Sequence, residues 1–121
     1  MADALTEKII GAAIEVHREL GPGLLEAIYE EALCFEFDLQ GIPYDRQVPV
    51  DLIYKGHPIS GHKLDLLVAQ EVVVEIKAQK TPVGVVVSQT ITYLKATGLK
   101  RGLIINFAHD RLTDGVKRVS L

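Results

Sequence analysis

The run Val72-Val73-Val74-Glu75-Ile76-Lys77-Ala78 constrains this chain more than any other stretch. Three successive β-branched residues open it and charged and apolar side chains then alternate, so it predicts a strand. His57 to Val68, just before it, is extended in pattern too, with Gly61 marking a bulge or bend. Between them lies Ala69-Gln70-Glu71, which as a three-residue hairpin loop sets Val68 opposite Val72. Counting back in step, Asp65 faces Glu75 and Lys63 faces Lys77, all on one side of the sheet, because strands alternate with period two. Cross-strand neighbours have Cβ atoms about 4.5–5.5 Å apart.

Two carboxylates that close repel. A divalent cation would turn the repulsion into coordination, and oxygen-only ligands suit Mg²⁺ or Mn²⁺. Lys77 emerges two residues beyond Glu75 on the same face, placed to orient or help deprotonate a water, or to stabilise charge on a phosphate. The plainer alternative is a solvated strand face carrying Glu75 and Lys77. Asp65 in register weighs against it.

The rest of the chain reads as helices and strands around this hairpin. Leu5, Ile9, Ala12, Ala13, Val16 and Leu20 recur every three to four residues, as in a helix, until Gly21-Pro22-Gly23 breaks it. A second helix carries Leu25, Ile28, Tyr29, Ala32, Phe35 and Leu39 on one stripe and ends at Gly41. Val48, Val50, Leu52 and Tyr54 alternate as a strand up to the Lys55-Gly56 turn. Thr81-Pro82 suggests the N-cap and first position of a third helix running through Ala96, closed by Gly98. Gly102 to Phe107 reads as a strand buried on both faces, and an edge strand at Val116–Val119 can follow the Asp114-Gly115 turn. The expected class is α/β, in the order α-α-β-β-β-α-β, over residues 1–121 as one domain. The unit from Val72 to Phe107 should be a right-handed parallel crossover in a mixed sheet flanked by helices.

Composition narrows the setting. No apolar run reaches the ~18 residues that span a bilayer, and Met1 to Glu7 lacks a basic leader pattern. Cys34 is the lone cysteine, which fits a reducing, cytoplasmic location and, within its apolar stretch, a core position. The net charge of −3 hides a split. Residues 1–75 hold 5 Lys/Arg and 14 Asp/Glu, whereas residues 76–121 hold 8 and 2. One face can therefore be positive if the division survives folding. His17, His57, His62 and His109 show no metal-binding spacing. Gly21-Pro22-Gly23 follows a helix rather than a strand, so it is no dinucleotide fingerprint. Glu26 alone is explained by the positive end of its helix, and Gln89, one turn before Tyr93, has no meaning by itself.

Together these segments resemble the PD-(D/E)XK nuclease superfamily, and within it the GxxExxY family. The namesake motif is Gly23-Leu24-Leu25-Glu26-Ala27-Ile28-Tyr29, and the nuclease signature is Asp65 followed by Glu75-Ile76-Lys77. Gln89-x-x-x-Tyr93-Leu94, Gly102 to Phe107 and Gly115 to Arg118 match as well. The family pattern has a histidine shortly before the glutamine, where this chain has Val85-Val86-Val87. The resemblance implies a restriction-endonuclease-like fold with metal ligands Asp65 and Glu75, Lys77 as the catalytic lysine, and Glu26 and Gln89 as auxiliary catalytic residues, Glu26 also toward the metal. The expected function is a Mg²⁺- or Mn²⁺-dependent nuclease acting on DNA or RNA. Lys80, Lys100, Arg101, Lys117 and Arg118 are the expected phosphate contacts, with Lys95 in the same basic portion. The rival reading is a non-catalytic binding or assembly module of the same fold, for instance a homodimer.

Overall fold

Helix α1 (Ala4–Leu20) begins with a capping box: Asp3 accepts from the Thr6 N–H at 2.9 Å, and the Thr6 side chain caps the Asp3 N–H in return. The computed structural model describes residues 3–121, so Met1 and Ala2, counted in the expected domain, lie outside it. After α1 come α2 (Glu26–Gln40), β1 (Tyr44–Tyr54), β2 (His57–Val68), β3 (Val72–Lys77), α3 (Val83–Thr97), β4 (Arg101–Asn106), a 3-10 turn (Leu112–Gly115) and β5 (Val116–Ser120). The sheet order is β1-β2-β3-β4-β5, parallel between β3 and β4 and antiparallel elsewhere. This is the expected mixed α/β sheet, with β5 as a fifth strand beyond the expected order.

The hairpin register is the one loop counting requires: Val68 pairs with Val72, Leu67 with Val73 and Leu66 with Val74. Ala69 and Gln70 close the loop in the left-handed region, at φ 53° and 59°. Between β1 and β2 the register slips after Val50–His62, where Gly61 has a φ of 117°, so this glycine marks a bulge.

Two apolar layers sandwich the sheet. Helices α1 and α2 pack Ile9, Leu33 and Phe37 against Val74, Ile76, Leu103 and Phe107. On the other face α3 packs Val86, Tyr93 and Leu94 against Val73 and Ile104. Strand β2 serves both layers. Leu66 and Val68 belong to the first, and Leu64 to the second.

Two expectations need correction. Pro82, with ψ 120°, is not yet helical and occupies the cap itself, while the Thr81 hydroxyl donates to Gln79 O. The helix starts one residue later, without a side-chain cap. In α2 the buried stripe is Tyr29, Leu33, Cys34 and Phe37, whereas Leu25, Ile28, Phe35 and Leu39 are exposed. Apolar residues nearly encircle α2, so periodicity allowed two faces. Stacking of Tyr29 on Phe107, centroids 4.4 Å apart, accompanies the face that the core took.

Candidate functional site

The backbone pairing of β2 with β3 stops at Leu66–Val74, and side chains take over. Asp65 Oδ2 accepts from the Ile76 N–H at 2.8 Å, and Glu75 Oε2 accepts from the Asp65 N–H at 3.1 Å. These bonds fix both carboxylates yet leave each with free acceptor capacity. Glu75 is only 4% exposed. Its burial, and next the charge of Asp65, push its pKa up to about 8 against the opposing Asp65 N–H and Lys77. Burial also raises Asp65, which the Ile76 N–H counteracts and the charge of Glu30 reinforces.

Glu26 is raised by burial and then by Asp65, with Lys77 opposing. It is exposed at the rim. Among the described residues no three His, Cys, Asp or Glu side chains are grouped so as to hold a metal ion by themselves. The pair still suits a hard cation. Mg²⁺ keeps several waters and is commonly held by one or two carboxylates.

Local structure explains how Glu26 arrives. The Tyr29 hydroxyl donates to Gly21 O and accepts from the Leu24 N–H at 3.1 Å, pinning the loop ahead of α2 to that helix. Gly23, at φ 100°, makes the turn that a side chain would strain. The loop and Glu26 then line a cavity with Lys77, Gln79 and Thr81. The spacing of the glycine, glutamate and tyrosine is thus a loop, a presented carboxylate and its anchor.

Helix α3 supplies the opposite wall. Gln89 lies near enough to the Tyr93 hydroxyl to lower the tyrosine's pKa slightly, and that hydroxyl lies 3.2 Å from His62 Nδ1. Tyr93 is 3% exposed, and its pKa is raised by burial and then by the charges of Glu75 and Asp65. Sequence reasoning missed it as a site residue, although its place one turn after Gln89 was the available signal. Glu30 was missed too. It is buried on α2 and accepts from Arg46 Nη2 at 3.0 Å and Gln47 Nε2 at 2.8 Å. Gln47, at φ 49°, also lies close enough to Asp65 to hold its pKa down slightly. Its strained backbone sits where β1 passes Asp65.

The basic residues divide. Lys80 and Lys117 line, with Lys77, a second cavity of about 430 Å³ walled by Val86 and Ile104. Lys100 and Arg101 lie at the other end of the sheet. Arg101 pairs with Val72 while Lys77 pairs with Asn106, five residues or about 16 Å along the strand. Arg101 is bound to Asp3 and Glu71. Arg118 pairs across from Leu103, toward α1, where it binds Glu7. Among the described residues no helix is long and apolar enough to cross a membrane.

Compared with known families, residues 3–119 match the model of the PD-(D/E)XK nuclease superfamily. No curated protein and no solved structure matches the chain significantly.

Proposed function

Because the chain belongs to the PD-(D/E)XK nuclease superfamily, we propose that it hydrolyses phosphodiester bonds in nucleic acid, with Mg²⁺ or Mn²⁺ held by Asp65 and Glu75. The observation that carries this reading is the interlocked, largely buried carboxylate pair with Lys77 on the same strand. When bound, the cation would polarise the phosphodiester and lower the pKa of a water. Asp65 and Glu75 hold their orientation through backbone N–H groups. Lys77 offers its ammonium group to charge developing on the phosphate. Glu26 accepts hydrogen bonds at the rim, and Gln89 and Tyr93 orient groups from the α3 wall. Lys80 and Lys117 bind flanking phosphates beside Lys77.

Within the superfamily we assign the chain to the GxxExxY group on Gly23, Glu26 and Tyr29, whose joint role as hinge, carboxylate and anchor supports it. We read residues 3–119 as one nuclease-like domain. The lone buried Cys34 agrees with a reducing, cytoplasmic setting. A fold kept only for binding or assembly would leave a proton on Glu75 as the offset to the Asp65–Glu75 repulsion.

The test is cleavage of end-labelled single-stranded, duplex and hairpin DNA and RNA with Mg²⁺ or Mn²⁺, using the wild type and Asp65→Asn. We expect metal-dependent products from the wild type alone. Products that persist with Asp65→Asn, or none on any substrate, would overturn the reading.

A further inference from the structure

The outward face of α2 is apolar where a surface helix is ordinarily polar. Leu25 (76% exposed), Ile28, Ala32, Phe35 (62%) and Leu39 (65%) follow one another at steps of 3, 4, 3 and 4. That is the a/d spacing of a helix-pairing seam, about 21 Å long at 1.5 Å per residue. It lies roughly opposite the stripe Tyr29, Leu33 and Phe37 that the core uses. Among the described residues Leu25, Ile28, Phe35 and Leu39 stay exposed, while Ala32 between them packs partly against the core.

The flanks indicate what would. With Leu25 and Phe35 at a and d positions, Glu31 and Asp38 fall at g and Glu36 at e, on both borders of the seam. Helix α2 contains no lysine or arginine. A second copy packed on this face would set acid against acid in either orientation, because e and g positions meet only one another. An anionic lipid surface would be repelled for the same reason. We propose that this face docks an amphipathic helix of a partner protein, with leucine-like residues on its seam and Lys or Arg on its borders. Leu25 and Glu26 also line the cavity shared with Lys77, so the docked helix ends beside the candidate site. The inference does not depend on nuclease activity.

Two labelled 21-residue peptides test it, both with Leu at a and d, one with Lys at e and g and the other with Glu. Fluorescence anisotropy at low salt should give an affinity for the Lys peptide at least about tenfold above that for the Glu peptide, roughly 1.4 kcal/mol. The Phe35→Asp variant should lose most of that binding. In the triple variant Glu31→Lys, Glu36→Lys and Asp38→Lys the preference should invert. Glu31 and Asp38 are exposed and Glu36 is half-exposed, and circular dichroism would verify that each variant is folded. Equal affinity for both peptides, no binding of either, or a wild-type dimer abolished by Phe35→Asp would overturn the proposal.

Discussion

Asp65 and Glu75 restrain each other across the hairpin: the Asp65 carboxylate caps the backbone beside Glu75, at Ile76, and the Glu75 carboxylate caps the backbone N–H of Asp65. Neither side chain can swing away without losing its hydrogen bond to the opposite strand's backbone, so the two carboxyl groups stay close. That enforced proximity motivates the first expectation.

Without metal, stability should fall as pH rises. Glu75 has its folded pKa raised from 4.5 to about 8, so the folded state binds the proton more tightly than the unfolded chain. Its contribution is full below pH 4.5 and is lost as pH climbs through about 8. Thermal melts in chelator across this window should show the decline, and Glu75→Gln should flatten it and melt higher at pH 8. Mg²⁺ or Mn²⁺ should reverse the trend, because metal competes with the proton. At a hundredfold excess over Kd it should add about 2.7 kcal/mol to the wild type and nothing to Asp65→Asn/Glu75→Gln. A wild type indifferent to millimolar metal would contradict the site.

Lys77 acts on charge rather than on coordination in this reading. Lys77→Ala should therefore keep the metal-induced rise in melting temperature while cleavage slows by about 10²–10³. A wild-type rate in single-turnover assays would make Lys77 an ordinary strand residue.

Tyr29 should be an anchor. Tyr29→Phe keeps the ring stacked on Phe107 but removes the hydroxyl that holds Gly21 O and the Leu24 N–H. Denaturant unfolding should show a loss of about 1–2 kcal/mol. Hydrogen exchange should increase at Leu24 while the α2 core stays protected.

Arg46 faces the buried Glu30 and is itself 42% exposed in its side chain. Arg46→Ala should destabilise by about 1–2 kcal/mol, less than a fully buried pair would. Glu30→Gln in the same background should restore most of the loss by removing the uncompensated charge. Additive effects in this double-mutant cycle would show that the two do not interact.

Phosphate contacts should follow the cavity rather than the sequence. Lys80→Glu and Lys117→Glu should weaken binding to all sequences alike and reduce the salt slope by about 0.9 per phosphate on duplex DNA. Lys100→Glu, at the far end of the sheet, should change little. Filter binding in Ca²⁺ would compare them, and an equal effect at Lys100 would remove the cavity from the interface.

The β2–β3 register was legible because it depends on neighbours: a three-residue loop and a period of two place Asp65 against Glu75 with no long-range information. Gly41 and Gly98 were legible as helix ends for a similar reason, since each supplies the left-handed residue next to the last turn. The family motifs added Glu26 and Gln89 and carried Tyr29 and Tyr93 beside them, but gave those two tyrosines no role. Tertiary structure alone chose which of two apolar stripes α2 buries, because that rotation depends on Phe107, some 80 residues away. It likewise brought Glu30, Gln47 and Tyr93 around the carboxylates from three separate elements. It also divided the basic carboxyl-terminal portion. Parallel pairing sends Lys77 and Arg101 to opposite ends of adjacent strands, and alternation along β5 turns Lys117 and Arg118 to opposite faces. Local chemistry determined the pair of carboxylates; packing between distant segments determined what surrounds them.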